Sequence, residues 1–153
     1  SNYDMLVFGK EQDKLDYKLS ACCNPIPGDS VFGFVTINEG IKVHKKDCPN
    51  AIAMQSNYAY RIMQAKWIDS SQQEFKAIIN ITGMDTFGLT NELTKVISNN
   101  MQVNIQSISL NGDAGLFKGQ LIVVVQNSNL LNKLIDNIKK IDGIDKVTRV
   151  YKK

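Results

Sequence analysis

The chain has 153 residues, of which 43% are hydrophobic and 22% charged, as in a soluble globular protein of one ordinary domain or two small ones. Its longest apolar stretch, Leu121 to Val125, is far too short to cross a bilayer, and a net charge of +3 does not by itself indicate a nucleic-acid partner. Three cysteines, an odd number, argue against a disulfide framework and for a reducing compartment, so we expect a cytoplasmic protein.

The first residues indicate that the chain was cut from something longer. No initiator Met is present, and Ser1-Asn2 is typical of what remains after an expression tag is removed. Residues 1–15 are therefore expected to be this remnant and a lead-in of mixed polarity that forms a short strand or helix. A Cys-rich module is predicted at residues 16–70 and a second domain at residues 71–153, joined by a polar stretch at residues 69–73.

The Cys-rich module is predicted to contain a β-hairpin. Apolar side chains alternate through residues 31–37 and 41–44, and the intervening Asn38-Glu39-Gly40 is typical of a turn. The alternation in the second strand places its apolar side chains in the core and the other two, Lys42 and His44, outwards.

The sequence after the hairpin predicts a short helix and a further strand. Asp47 is the expected cap of the helix, with Pro49 in its first turn. Cys48 then lies at the helix N-terminus, where a thiolate is favoured. The strand is predicted within residues 60–68.

Four side chains of this module are soft metal ligands: Cys22, Cys23, His44 and Cys48. A module of this size is too small for an apolar core to stabilise it alone, and thiolates with an imidazole suit zinc. Adjacent cysteines can bind one ion only where the backbone turns, which residues 24–28 favour. The alternative is that some of the cysteines are reduced core residues. A nucleophilic Cys–His pair is disfavoured, since the chain has one His and no evident oxyanion hole, so no catalytic residue is expected.

Lys42, Lys45 and Lys46 are predicted to form a compact basic end of the hairpin beside these ligands. Such clusters contact phosphate backbones in many small modules, so the three lysines are candidate RNA-binding residues. The alternative is a solvated hairpin end, because basic runs this short are common on protein surfaces.

The second half of the chain predicts six elements in the order βαββαβ. Strands are expected from Phe75 to Ile81, Val103 to Leu110, Gly115 to Gln126 and Ile144 to Tyr151; helical stripes are Leu89, Leu93, Val96, Ile97 and Leu130, Leu134, Ile138, Ile141. Asp85 or Thr86 is the expected cap of the first helix, and Asn111-Gly112-Asp113 the expected hairpin turn. Right-handed crossovers then place both helices on one face of a four-stranded antiparallel sheet, a ferredoxin-like α+β fold.

The apolar phase changes within the second of these strands. Val103 and Ile105 share one phase, and Ile108 and Leu110 share the other. A β-bulge produces such a slip, so we place one near Gln106-Ser107.

The loop between the first strand and first helix of this half is a candidate ligand site. Free N–H groups at a helix N-terminus can hold a carboxylate, and Gly88 allows close backbone approach. One interpretation is a small amino acid bound by Asp85, Gly88 and Leu89. The other, which we favour, is that Asp85 is only a cap and Gly88 only a turn residue.

The segment from Ala21 to Ala51, ACCNPIPGDSVFGFVTINEGIKVHKKDCPNA, resembles the zinc-finger or ribosome-intersubunit domain of the long RelA/SpoT homologues. It has that domain's pattern of Cys-Cys-x-Pro-x-x-Gly-Asp, a hairpin, and then His-x-x-x-Cys. The second half, with Asp85 and Gly88-Leu89 after its first strand, resembles the ACT domain of the same family. Together the two resemblances cover the chain from about Leu15 to its end.

The resemblance implies a function that composition alone does not. The parent protein is expected to be a GTP pyrophosphokinase of the stringent response, which makes and in some members hydrolyses (p)ppGpp with N-terminal domains outside this sequence. This chain would be its non-catalytic regulatory end, which contacts ribosomal RNA and deacylated tRNA and transmits the starvation signal to those domains. The resemblance also implies zinc bound by Cys22, Cys23, His44 and Cys48.

Two differences from the family affect what carries over. Thr86-Phe87 stands where the family often has Arg-Pro, which weakens the case for amino-acid binding, and Asn38-Glu39-Gly40 stands where glycines are commoner. Two other functions stay open: an ACT module that binds a branched-chain amino acid, and a purely structural dimerisation region. We also expect a homodimer through the ACT half, because Leu121 to Val125 is apolar on both sides and sheet edges need cover.

Overall fold

In a computed structural model of the chain, residues 5–68 and 74–151 are described. The chain divides into two compact units, Ser1–Gln73 and Glu74–Lys153. Both combine strands with helices, the α+β class that the sequence predicts. The linker predicted at residues 69–73 lies outside the described residues, as does Ser1-Asn2.

The first unit is built on a five-stranded sheet. Its elements are β1 (Leu6–Phe8), β2 (Tyr17–Leu19), β3 (Val31–Val35), β4 (Ile41–Lys45), helix α1 (Pro49–Asn57), a 3₁₀ turn (Ala59–Arg61) and β5 (Ile62–Trp67). The strand order is β1-β5-β3-β4-β2, and neighbouring strands are antiparallel except β2 and β4, which are parallel. The predicted hairpin is confirmed as β3 and β4, and the lead-in forms strands rather than a helix.

Both faces of this sheet bury side chains, which changes the expected surroundings of β4. One face carries an apolar cluster that includes Phe8, Ile41 and Val43. On the other face, Phe32 of β3 lies opposite His44 of β4, and they are 2% and 4% exposed. The prediction that His44 faces outwards is therefore wrong, because alternation separates two faces without showing that only one is buried.

Helix α1 begins one residue later than predicted, with Cys48 rather than Asp47 as its N-cap. The Cys48 carbonyl accepts hydrogen bonds from the N–H groups of Ala51 and Ile52 at 2.8 and 3.2 Å. Pro49 occupies the first turn, where its missing N–H costs nothing. The backbone carbonyl of Cys48 thus takes part in the hydrogen bonding of α1, although Cys48 itself precedes the first helical residue.

The second unit is a four-stranded sheet with helices against it. Its elements are β6 (Phe75–Met84), α2 (Leu89–Thr94) with a following π-helical turn (Lys95–Asn100), β7 (Asn104–Asp113), β8 (Leu116–Val125), α3 (Ser128–Lys139) and β9 (Ile144–Val150). The strand order β7-β8-β6-β9, with every neighbouring pair antiparallel, confirms the ferredoxin-like βαββαβ prediction. The core side chains of the sheet and helices are fully buried: Ile79, Ile81, Leu93, Ile97, Leu121, Leu134 and Ile138.

The edge hairpin of this unit confirms the bulge and corrects the turn. The register of β7 against β8 shifts between Ile105 and Ser107, so Gln106 is the extra residue. The turn predicted at residues 111–113 lies instead at Ala114-Gly115, whose φ angles are 55° and 83°. Alanine is an unusual residue at a positive φ, so Asn111-Gly112 is the stronger turn signal in the sequence although the chain turns at Ala114-Gly115.

The helix ends also differ from the predictions. Helix α2 begins after Gly88, which has a φ of 82°, so neither Asp85 nor Thr86 caps it. In α3, which Asn127 caps, Leu131 is buried in place of Leu130, while Leu134 and Ile138 are buried as predicted. Among the described residues, no helix is both long and apolar enough to span a membrane.

Candidate metal centre and basic face

The structure brings the four predicted metal ligands of the first unit together. The ligand atoms of Cys22, Cys23, His44 and Cys48 all lie within 4.8 Å of one another. The first two come from the turn after β2, His44 from β4, and Cys48 from the start of α1. Three separate segments therefore meet at one point through their thiol and imidazole groups.

A tight turn lets the two adjacent cysteines point to the same place. The N–H of Asn24 donates to the carbonyl of Ser20 at 3.0 Å, and Asn24 has a φ of 42°. Asn tolerates this left-handed backbone better than most residues. Cys22 and Cys23 thus lie within a turn rather than in a strand, which is the condition under which both can reach one ion.

Four of the six distances between the ligand atoms are close to those of a tetrahedral zinc site, and all six are within 4.8 Å. The Sγ of Cys22 is 3.4 Å from the Sγ of Cys48, 3.5 Å from Nδ1 of His44 and 4.0 Å from the Sγ of Cys23. The Sγ of Cys23 is 3.9 Å from the same Nδ1. Sulfur and nitrogen ligands at their usual distances from zinc stand about 3.6–3.8 Å apart in a tetrahedron. All three cysteines are free thiols, so the donor set and its geometry suit this metal.

Hydrogen bonds favour the thiolate of Cys22. Burial opposes its ionisation, but hydrogen bonds to Ser20 and to neighbouring polar side chains outweigh burial and lower the pKa of this thiol. The Oγ of Ser20 is 3.0 Å from the sulfur. A thiolate is the form of cysteine that binds a metal, so Ser20 supports Cys22 as a ligand.

Burial favours the neutral form of two of the remaining ligands, Cys23 and His44. Burial raises the pKa of the Cys23 thiol to about 12, although the backbone N–H of Lys45 donates to its sulfur at 3.3 Å. Burial, with a smaller effect of the Lys42 charge, lowers the pKa of His44 and favours the neutral imidazole that metals bind. The ring of Phe32 stacks against that imidazole, with centroids 5.9 Å apart. A bound dication would offset the repulsion of several thiolates at this buried site.

The three predicted RNA-binding lysines do not form one compact group. Lys42 lies opposite Phe34 in the sheet and its Nζ is 2.8 Å from the Glu39 carboxylate. Lys46 lies past the other end of β4 and is exposed. Lys45 is only 9% exposed, with its Nζ 3.6 Å from Asp47, so the prediction that it forms part of an exposed basic end is wrong. By the alternation of β4, its side chain lies on the face of Val43, opposite Val31 and on the other side of the sheet from His44.

Sequence reasoning missed a group of aromatic and basic residues on the face that carries Lys42. Tyr58, Tyr60 and Arg61 follow α1 and come together with Phe34 of β3. The short spacing of two tyrosines and an arginine at residues 58–61 was the available signal. What the sequence does not show is that these residues lie beside a phenylalanine of the distant hairpin.

In the second unit, the predicted ligand residues line a cleft of about 410 Å³. Asp85 is exposed and its N–H donates to the carbonyl of Gly115 at 2.8 Å. The Leu89 side chain is 5% exposed and belongs to the core, so only its backbone is available to a ligand. Phe87, also at the cleft, is fully exposed. The three residues are thus near one another, with Gly88 as the turn that separates Asp85 from the helix.

Comparison with known families matches both units. Residues 7–68 match the RelA/SpoT RIS domain, and residues 71–149 match the ACT domain. The Cys/His cluster and the basic residues around it fall in the first match. The ferredoxin-like unit falls in the second.

Curated relatives extend across the same two regions. The GTP pyrophosphokinase of Haemophilus influenzae is 27% identical over 143 residues, which cover 90% of this chain and 19% of that protein. The bifunctional (p)ppGpp synthase/hydrolase RelA of Mycobacterium tuberculosis is 32% identical over 135 residues, which cover 87% of this chain and 18% of that protein. The chain therefore spans less than a fifth of the length of these relatives.

A solved structure similar to the second unit is the ACT domain of a GTP pyrophosphokinase from Chlorobium tepidum. It is 36% identical in sequence, covers 51% of this chain and 100% of its own, and has a TM-score of 0.46. The two domain matches cover nearly the whole chain, and their order is the one that the sequence resemblance implies. The chain belongs to the RelA/SpoT family and comprises a RIS domain followed by an ACT domain.

Proposed function

We propose that this chain is the part of a longer GTP pyrophosphokinase that contacts ribosomal RNA, with deacylated tRNA as a further partner. It would transmit the starvation signal to catalytic domains in the same protein, where (p)ppGpp is made and, in a bifunctional parent, hydrolysed. Relatives named for these activities align with 87–90% of the length of this chain. The chain itself contributes no catalytic residue to this proposal.

The observation that carries the proposal is the ligand cluster of Cys22, Cys23, His44 and Cys48 within the RIS match. Zinc bound there would join β4 to the start of α1. Those two elements flank Lys46, and β4 also carries Lys42. The metal would therefore have a structural role, holding in place a strand whose lysines meet phosphate groups.

Ribosome binding across a salt series tests the RNA contact. The double change Lys42→Glu and Lys46→Glu should weaken co-sedimentation with ribosomes and flatten its salt dependence. Binding would then form fewer phosphate contacts and would release fewer counterions from the RNA. The melting temperature should change little, since exposed ion pairs such as that of Lys42 with Glu39 contribute about 0–1 kcal/mol.

A matched control makes the same charge change elsewhere. Lys133 and Lys139 are exposed on α3 of the second unit, and changing both to Glu should leave ribosome binding nearly intact. Equal losses in both double variants would mean that net charge, not the β4 surface, governs binding. Unchanged binding of the Lys42/Lys46 variant at every salt concentration would contradict the proposed contact.

A second candidate function is the sensing of a branched-chain amino acid by the ACT unit. The cleft at Asp85 and Gly88 favours it, because an exposed carboxylate there can pair with an α-amino group. Isothermal titration of the chain with leucine, isoleucine and valine tests this function. Heat that is lost in an Asp85→Asn variant would support it, and an absence of heat with all three amino acids would exclude it at the concentrations used.

A further inference from the structure

Three aromatic rings form a continuous surface on the first unit. The rings of Phe34 and Tyr58 meet nearly edge to face, with centroids 6.3 Å apart, and those of Tyr58 and Tyr60 follow at 6.5 Å. Exposure rises along the row, from 8% for Phe34 to 45% for Tyr58 and 82% for Tyr60. The inner ring therefore belongs to the core, and the outer ring presents most of its area to solvent.

Arg61 adds a fixed planar cation to this surface. Its guanidinium carbon lies 4.9 Å from the centroid of the Phe34 ring, and its Nε donates to the carbonyl of Val35 at 2.8 Å. The stacking contact and the hydrogen bond together restrict the orientation of the guanidinium plane. We define the aromatic face as Phe34, Tyr58, Tyr60 and Arg61.

Lysines continue the same face across the sheet. Phe34 lies opposite Lys42 in β4, and Lys42 lies opposite Lys18 in β2, so the three share one row. Glu39 pairs with Lys42 at 2.8 Å, and the charges of Lys42 and Lys18 both lower the pKa of that carboxyl. Two lysines, Lys18 and Lys42, thus lie near one carboxylate, Glu39, so the charge beside the aromatic face is positive. This positive charge is local, because the first half of the chain is nearly neutral.

Two exposed rings, Tyr58 and Tyr60, beside an arginine plane and neighbouring lysines suit one class of ligand. Single-stranded nucleic acids are bound by stacking of bases on aromatic side chains and arginine planes, with the backbone on nearby cations. A duplex offers phosphates to the lysines but keeps its bases stacked inside. We propose that the aromatic face stacks an unpaired RNA base on Tyr60 and Arg61 while Lys42 and Lys18 contact the adjoining phosphates, an inference that rests on the RNA contact proposed above.

The test compares two RNA probes on the whole zinc-loaded chain. Fluorescence anisotropy measures binding of a labelled oligoadenylate and of a blunt RNA duplex of the same length. Tyr60→Ala should weaken oligoadenylate binding by about tenfold, the usual effect of losing one stacked base, and leave duplex binding unchanged. Tyr60→Phe and Tyr60→Trp keep a ring and should bind as the parent does. Lys42→Gln should instead weaken both probes and lower the salt slope by about 0.7–0.9.

Controls and ribosome binding separate the possible outcomes. Phe87→Ala removes an even more exposed ring from the second unit and should change neither affinity. If the parent chain binds the duplex and ribosomes but Tyr60→Ala binds oligoadenylate normally, the stacking inference is wrong and the RNA contact stands. If the parent binds neither probe nor ribosomes, both are wrong. If Tyr60→Ala weakens ribosome binding without affecting oligoadenylate, the face takes a protein and the inference is overturned.

Discussion

Removal of the metal from the Cys/His cluster should destabilise the first unit alone. Three of the four ligand side chains, Cys23, His44 and Cys48, are no more than 4% exposed, so their polar groups depend on the metal rather than on water. A ligand held at a concentration about a thousand times its Kd stabilises the folded state by about 4 kcal/mol. Since 1 kcal/mol shifts the melting temperature of a unit this size by about 4–8 °C, chelation should lower it by roughly 20 °C.

The second unit provides an internal control for this experiment. The chain has three cysteines and one histidine, and all four lie between residues 22 and 48. In calorimetry, chelation should therefore move one of two unfolding transitions to lower temperature and leave the other unchanged. Elemental analysis before chelation should find about one zinc per chain. Returning zinc should restore the shifted transition.

Single ligand variants distinguish a metal centre from a reduced core. Cys23→Ser should lower the zinc content and the stability of the first unit together, because serine is a poor zinc ligand. Ser20→Ala, which removes a hydrogen bond to the Cys22 sulfur at 3.0 Å but no ligand, should keep the zinc and weaken its affinity modestly. If the chain contained no stoichiometric zinc and a chelator left both unfolding transitions unchanged, the zinc-site hypothesis would be wrong. The four side chains would then be ordinary reduced residues of the core.

Three further predictions concern the second unit. Leu134→Ala should lower its free energy of unfolding by about 2–5 kcal/mol in urea titrations, because Leu134 is fully buried. Leu130→Ala should lower the same free energy clearly less, because Leu130 is only half-buried. Ala114→Asn should raise that free energy by up to about 1 kcal/mol, since Asn tolerates the positive φ of this turn better; a loss would contradict the turn assignment. Light scattering of the whole chain should show a homodimer formed through this unit, and a monomer at high micromolar concentration would argue against it.

The ferredoxin-like unit could be predicted closely because its patterns leave little choice. Strands with one buried face show clear alternation, and even the bulge at Gln106 was visible as a change of phase. The errors lie at element ends, where local chemistry decides. The turn at Ala114-Gly115 uses an alanine, which rarely takes a positive φ, and the first turn of α3 buries Leu131 instead of Leu130.

The first unit was harder to predict because its sheet is covered on both sides. Alternation correctly places His44 and Val43 on opposite faces, but the polar character of His44 does not show whether its face is exposed. In the structure Phe32 and the cysteines surround the imidazole, so the same alternation places it in a second buried layer. Lys45 is buried as well, although its side chain lies on the opposite face, beside Val31, and only its backbone N–H reaches the Cys23 sulfur.

The metal ligands could be recognised from the sequence, whereas the aromatic face could not. Cysteine and histidine are rare enough in this chain that one His and three Cys within residues 22–48 indicate a common site before any contact is known. Tyrosine and arginine are common surface residues, and Tyr58 and Arg61 gain their significance only from their contacts with Phe34 of β3. That pairing depends on the register of β3 against β5, a long-range property that a single sequence does not specify.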